Sequence, residues 1–309
     1  MLIFWITVFI VSLFVLVKGA DWLLASSEKI GLKIGLSPFV VGVTIVAFGT
    51  SLPELISGFV AVMNGVSEIV VANAVGSNIA NILLVVGISA IVGKRLSVSK
   101  DLIDLDLPLI ALSTAIFLLV AYDGSITFFE AMFLTITYLI YLGFSLIYKD
   151  DQADEKVKRP KITPNDILML FIGIVGLSVG AKFMVDSIQV LSGILNVGAG
   201  IIAITAVAIG TSLPELIVSV KAALRKQSEI ALGNVFGSNI FNVLAVVGLP
   251  GIFGTLIIDQ QTLSLGLPVL LMATILFIIS GISRRIHVQE GALFLMLYVI
   301  FITKLFGLF

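Results

Sequence analysis

The octapeptide GTSLPELI stands at Gly49–Ile56 and again, letter for letter, at Gly210–Ile217. A second word, GSNI, stands at Gly76–Ile79 and at Gly237–Ile240, and both words recur at one displacement of 161 positions (210 − 49 and 237 − 76). A single ungapped offset shared by two separate words marks a duplication. The same offset relates Gly19-Ala20 to Gly180-Ala181, Thr44 to Thr205, Ser67-Glu68-Ile69 to Ser228-Glu229-Ile230, Asn73 to Asn234, Asn81 to Asn242 and Gly87 to Gly248.

Around these words the chain is too apolar for water. Of its 309 residues 59% are apolar and 12% charged, and the mean hydropathy is +1.20. Such an inventory cannot furnish a soluble surface, so the bilayer is the expected solvent, and nothing suggests a soluble domain or a nucleic-acid partner. A helix needs roughly 20 apolar residues to cross the hydrocarbon core. The apolar stretches predict ten helices, at about 2–24, 38–64, 68–93, 104–121, 125–148, 164–185, 197–224, 229–256, 262–282 and 287–308. The run from Met1 to Val17 lacks a basic n-region and a small-residue cleavage site, and reads as a retained first helix. Trp5 and Trp22 then suit helix-end interface anchors. The absence of cysteine removes disulfides, thiolate metal sites and thiol nucleophiles.

The expected organisation is a first five-helix repeat over 1–148, a short hydrophilic linker over 149–163 and a second five-helix repeat over 164–309. Five is odd, so the second copy enters the membrane from the side opposite to the first, giving an inverted repeat. The basic residues agree with that alternation. With both termini outside, only Lys182 and Lys304 of the 18 Lys and Arg fall outside, and the rest lie on the cytoplasmic side, as the positive-inside rule expects. The predicted fold is therefore an all-α, multi-pass membrane bundle, N-out and C-out.

An ionisable side chain near the bilayer centre costs about 2.5–3.5 kcal/mol on insertion scales and needs a partner or a wet cavity. Asp21, Asp101, Asp104, Asp106, Asp123, Asp166 and Asp259 fall at predicted helix ends or loops, and Glu68 and Glu229 at helix starts. Glu54 and Glu215 instead fall mid-helix at equivalent repeat positions, where twofold pseudosymmetry brings them together. Pro53 and Pro214 remove backbone donors while Gly49 and Gly210 loosen the turn upstream, freeing carbonyl oxygens at the depth where transporters build ion sites. Thr50, Ser51, Thr211 and Ser212 add hydroxyls; Ser77, Ser238, Asn81 and Asn242 add neutral oxygens from the second word. Two carboxylates within an all-oxygen set suit a hard cation such as Ca²⁺, which takes 6–8 oxygens. Na⁺ using the neutral oxygens together with a glutamate would compete with Ca²⁺, and shared ligands couple two fluxes.

Duplicated GTSLPE and GSNIxN words inside five-helix halves resemble the α-repeats of the cation/calcium exchanger superfamily, most closely its sodium/calcium exchanger branch. The resemblance spans nearly the whole chain and implies electrogenic exchange of several Na⁺ for one Ca²⁺ by alternating access, with helices one and six as a sliding pair. It implies Glu54 and Glu215 as Ca²⁺ carboxylates, with backbone oxygens of Thr50 and Thr211 on the same ion. Ala47 with Ser51, and Ala208 with Ser212 and Ser238, match sodium ligands, Ser77 being their symmetry partner, and Asn81 and Asn242 match the central positions. Relatives that use potassium carry aspartate at the place of Asn242, so a potassium-independent exchanger is implied. The linker is too short for the calcium-binding regulatory domains of animal exchangers. A compact prokaryotic form in the inner (plasma) membrane, working as a monomer without a cofactor, is implied.

Other readings stand beside this one. Gly and Pro in membrane helices are often packing devices, and Ser77, Ser238, Asn81 and Asn242 suit interhelical hydrogen bonds. Asn73, Asn78, Asn234 and Asn239 suit structural roles, and His287, beside Arg284 and Arg285, a solvated helix end. A proton-coupled calcium antiporter is compatible with a glutamate pair, H⁺ then being a third transported ion. A passive cation channel fits inverted two-copy motifs less well. An intramembrane hydrolase lacks a base, since no His lies in a deep segment.

Overall fold

The structure, a computed structural model, describes residues 2–98, 106–147, 160–194 and 212–307. Its helices are α1 (Leu2–Ile34), α2 (Pro38–Met63), α3 (Glu68–Val92), α4 (Asp106–Val120), α5 (Phe128–Ile147), α6 (Pro164–Ile194), α7 (Leu213–Leu224), α8 (Ser228–Gly251), α9 (Thr262–Ile282) and α10 (Val288–Leu305). Among the described residues, nine helices are long and apolar enough to cross a membrane; α7, described for 12 residues, is the other. Residues 149–159 of the expected 149–163 linker and the stretch 195–211, including Ala208, Gly210 and Thr211, lie outside the described residues.

Two helices are longer than their apolar runs. α1 has 33 residues and α6 has 31, so each is about 50 Å long at 1.5 Å per residue, well beyond a hydrocarbon core of about 30 Å. The apolar run of α1 fades at Ser26-Ser27-Glu28-Lys29, yet nothing there breaks a helix. It stops at Gly35, whose φ of +86° lets Leu36 N–H return to the Gly31 carbonyl at 2.9 Å. Trp22 and Asp21 therefore sit within α1 and not at its end, which corrects the sequence expectation for both. Ser37 then caps α2, its hydroxyl accepting from Val40 N–H, with Pro38 at the first turn.

The interior is built from α2, α3 and α8. In their most apolar 18-residue windows 67%, 72% and 100% of residues are buried, against 17% for α1 and α5 and 22% for α6, which face outward. Close backbone approach makes this possible. A Cβ on Gly237 of α8 would lie 2.1 Å from the Val43 carbonyl of α2, so only glycine allows these helices to meet there.

Duplication is visible in local structure. α3 and α8 each pass through a π-helical turn, Asn81–Val85 and Asn242–Val246, at the 161-residue offset (242 − 81). Four short strands close the bundle: β1 (Arg95–Ser97) pairs with β4 (Arg285–His287), and β2 (Ser125–Ile126) pairs with β3 (Leu256–Ile257), both antiparallel. α4 separates β1 from β2 and α9 separates β3 from β4, so the ribbons cap opposite ends. Shifting β1 by 161 positions lands on β3, and shifting β2 lands on β4 (95 + 161 = 256; 125 + 161 = 286). Each strand thus pairs with the counterpart of its neighbour, not with its own.

A candidate cation site between the repeated words

Glu54 on α2 and Glu215 on α7 are both fully buried. Local sequence puts them there. Pro53 lies inside α2, so the Gly49 carbonyl one turn back loses its usual intrahelical N–H donor. Pro214 lies in the first turn of α7, which starts after Ser212, a residue with non-helical φ and ψ of −88° and 8°. Each proline thus removes a backbone donor one residue before its carboxylate.

The surrounding oxygens come from four helices. Ser51 Oγ of α2 donates to Glu215 Oε1 at 2.7 Å and lies 2.9 Å from Ser238 Oγ of α8. Thr50 Oγ1 lies 3.2 Å from the Ala47 carbonyl, 3.1 Å from Asn234 Oδ1 and 3.5 Å from Ser238 Oγ. The serine and threonine of the first GTSLPE word are thus bonded to the glutamate of the second and to the second GSNI word. The reciprocal contact is not made: Ser212, buried in the second word, leaves both Glu54 oxygens without a hydrogen bond. Glu215 Oε2 and all four side-chain amide atoms of Asn81 and Asn242 are also buried and unpartnered. Both asparagines are fully buried at the first residue of a π-helical turn, where such turns commonly mark functional positions.

So dense a set of unsatisfied buried polar atoms is unusual in a folded protein. Basic side chains form their ion pairs elsewhere, Lys29 with Asp166, and Lys221 and Arg225 with Asp21. Among the described residues neither buried carboxylate has a basic partner, so bound cations or protons must offset their charge. Among the described residues no group of three or more His, Cys, Asp and Glu occurs, and the candidate donors here are a carboxylate pair with hydroxyl, carboxamide and carbonyl oxygens around it. That chemistry suits a hard cation and disfavours a soft one.

A cavity of about 510 Å³ runs from the loop after β3 to Ser77 and Ser212, which belong to the repeated words. Asn73, Ser77 and Ser212 line it, together with Asp259, Gln261 and Thr262 at the loop before α9. Asp259 caps that helix, accepting from Gln261 N–H at 3.0 Å and Thr262 N–H at 2.9 Å. Burial pushes its carboxyl up, but the hydrogen bonds from Thr262 and Gln261 outweigh this and hold it below the usual carboxylate range. A fixed negative charge therefore stands at the approach.

Of the residues singled out from sequence, Glu54, Glu215, Thr50, Ser51 and Ser238 are directly joined by these contacts or buried beside them, and Ser77 and Ser212 line the cavity leading there. Ala47 contributes its carbonyl to Thr50. Thr211 and Ala208 lie outside the described residues. Sequence reading gave Asn234 a structural role and did not name its partner Ser219, 2.9 Å from Asn234 Nδ2. The signal was the spacing, since Asn234, Ser238 and Asn242 follow at intervals of four and share one face of α8. Asn78, expected to be structural, donates to the Asn239 carbonyl across the repeats at 2.9 Å.

A family model described as "Sodium/calcium exchanger protein" matches residues 4–147 and again 165–307. The chain is 32% identical over 351 residues to the sodium/calcium exchanger MaX1 of Methanosarcina acetivorans, covering 97% of each. It is 32% identical to the inner membrane protein YrbG of Escherichia coli, over 87% of this chain and 86% of that one. A solved structure of the sodium-calcium exchanger NCX_Mj matches with a TM-score of 0.85 at 33% identity, over 99% of this chain and 100% of that one.

Proposed function

Since the chain belongs to the sodium/calcium exchanger family, a family of membrane transporters and not of enzymes, we propose that it exchanges Na⁺ for Ca²⁺ by alternating access, electrogenically and without potassium. The observation that carries this reading is the pair of buried carboxylates, Glu54 and Glu215, contributed by equivalent positions of the two repeats. Ca²⁺ sits between them, with Thr50 and Thr211 supplying backbone oxygens. Na⁺ uses oxygens of Ala47, Ser51, Ser77, Ala208, Ser212 and Ser238 together with the same glutamates, and Asn81 and Asn242 complete the centre. One ion's binding then removes ligands from the other, which makes the fluxes compulsory partners. Asn242 in place of an aspartate favours independence from potassium.

The scaffold in this reading is ten transmembrane helices in two inverted repeats, 1–148 and 164–309, joined by a linker at 149–163. The crossed pairing of β1 with β4 and of β2 with β3 supports the inversion, because equivalent strands lie at opposite ends. Lys29, Arg95, Lys226 and Arg285 lie at or near the β1–β4 end, which supports placing that end in the cytoplasm with both termini outside. The exchanger is a monomer in the inner membrane of a prokaryote, in this reading.

The test is ⁴⁵Ca²⁺ uptake into proteoliposomes loaded with Na⁺, with choline or K⁺, or with an imposed pH gradient. Uptake that needs internal Na⁺ is expected. Uptake driven only by the pH gradient would make the protein a proton-coupled antiporter, and passive uptake with no counter-ion would make it a channel.

A further inference from the structure

Asn234 is fully buried on α8 and spends both ends of its side chain on neighbours. Its Oδ1 accepts from Thr50 Oγ1 of α2 at 3.1 Å, and its Nδ2 donates to Ser219 Oγ of α7 at 2.9 Å. These partners are not arbitrary. Thr50 lies four residues before Glu54 and Ser219 four after Glu215, so each is one helical turn from a site carboxylate and on the same helix face. A single carboxamide therefore ties together the two helices that carry the glutamates.

The other half of the duplication lacks the Ser219 end of this tie. Asn73 is the counterpart of Asn234, but the counterpart of Ser219 is Gly58 (219 − 161), which has no hydroxyl. Asn73 Nδ2 is buried without a hydrogen-bond partner, and the residue lines the 510 Å³ cavity beside Ser77 and Ser212. The pattern repeats at the serines, where Ser51 reaches Glu215 while Glu54 receives no bond from Ser212. Among the described residues, one side of the carboxylate pair makes both of these bonds, and the side facing the cavity makes neither.

We propose that Asn234, held by Ser219, is a positioning residue that fixes the spacing of the Glu54- and Glu215-bearing helices and so sets which divalent cation the site prefers by radius. The inference rests on the proposed exchanger reading. Cations differ in the oxygen distances they demand: about 2.0–2.1 Å for Mg²⁺ and 2.3–2.6 Å for Ca²⁺, with larger ions requiring more. A cage whose walls are pinned on one side penalises ions of the wrong size, whereas a released wall closes or opens to suit them. Asn234 touches no ion in this account; it acts through Thr50 and Ser219.

The test measures ⁴⁵Ca²⁺ uptake by reconstituted wild type, Asn234→Ala, Ser219→Ala and the double variant, with Mg²⁺, Sr²⁺ and Ba²⁺ as competitors. Each single substitution is expected to compress the Ca²⁺-over-Ba²⁺ and Ca²⁺-over-Mg²⁺ preferences by about three- to tenfold, the change that one or two buried hydrogen bonds can supply. The double variant is expected to go little further, because both substitutions open the same tie. A uniform fall in rate with unchanged preferences overturns the proposal and leaves Asn234 a packing residue. If a variant does not transport, the same preference is read from the shift of thermal unfolding with each cation in detergent, and a wild-type order there also overturns it. A wild type without Na⁺-driven uptake, but with cation-dependent stabilisation, sinks the exchanger reading alone; one that responds to no divalent cation sinks both.

Discussion

Replacing Glu54 or Glu215 by glutamine keeps the side-chain volume and hydrogen-bonding capacity but removes one of two charges in a fully buried site. Either substitution is expected to abolish ⁴⁵Ca²⁺ uptake while leaving the protein folded, since a site for a doubly charged ion loses half its neutralising charge and no packing. Wild-type uptake by Glu54→Gln or Glu215→Gln would remove these residues from the transport site. Protons compete for the same oxygens, so acidification is expected to raise the Ca²⁺ concentration needed for half-maximal uptake, and saturating Ca²⁺ should restore the rate. A rate loss on acidification that no amount of Ca²⁺ reverses would place the sensitive group outside the site. The glutamates were legible in the sequence because an acid in the middle of an apolar stretch is costly, and its recurrence in both halves calls for a bound cation to offset that cost. Asn234 was not, because an asparagine on a membrane helix looks alike whether it ties three helices or fills one interface, and only the positions of Thr50 and Ser219 separate those cases.

At the scale of elements, hydropathy located the helices well where the boundary coincides with the membrane boundary. α2, α3 and α9 begin and end within a residue or so of the apolar runs at 38–64, 68–93 and 262–282. It failed at α1 and α6, because a helix that leaves the hydrocarbon layer keeps its backbone hydrogen bonds while its side chains turn polar. Nor does hydropathy report how helices touch. The α2–α8 contact at Gly237 is decided by the missing side chain, and Gly237→Ala would drive a Cβ to 2.1 Å from the Val43 carbonyl and 2.7 Å from the Ala47 Cβ. Backbone on one side and a buried helix on the other leave nothing flexible to move aside. The two helices must separate, carrying Ser238 away from Thr50 and Ser51. Overpacking of this kind costs about 1–3 kcal/mol, so a lower thermal midpoint in detergent and a loss of transport are both expected. Unchanged stability and uptake in Gly237→Ala would show that α2 and α8 pack less closely than described.

For the whole molecule, the inverted repeat proposed above would offer two conformations related by its pseudosymmetry, and sequence differences between the halves would then decide which one is favoured. The ends of this bundle are held differently. Asp21 of α1 takes both Lys221, at 2.6 Å, and Arg225 from α7, Lys221 Nζ donates to the Val17 carbonyl at 2.7 Å, and Gln227 donates to Glu28 at 2.7 Å. These contacts fasten the long α1 near the β1–β4 end, and α1 lies against α6 so closely that a Cβ on Gly173 would meet Leu23 N at 2.7 Å. At the equivalent positions of the other half stand Lys182, Val60 and Asn64 in place of Asp21, Lys221 and Arg225, so the same cluster cannot form at the opposite end, where the cavity opens. If α1 and α6 slide as a pair during exchange, the Asp21 cluster must break each time the β1–β4 end opens. Asp21→Asn is then expected to weaken that closure by about 1 kcal/mol, the upper range for partly exposed ion pairs, or roughly fivefold in the ratio of the two conformations. The natural absence of cysteine makes this measurable with single introduced thiols. Ala222, fully buried on α7 between Lys221 and Arg225, should as Ala222→Cys react about fivefold faster with a thiol reagent from the β1–β4 side when Asp21→Asn is added. Ala72→Cys, in the cavity at the other end, should react no faster. An unchanged rate at Ala222→Cys would mean that the cluster joins parts that never separate, and that the bias between the two conformations lies elsewhere in the differences between the halves.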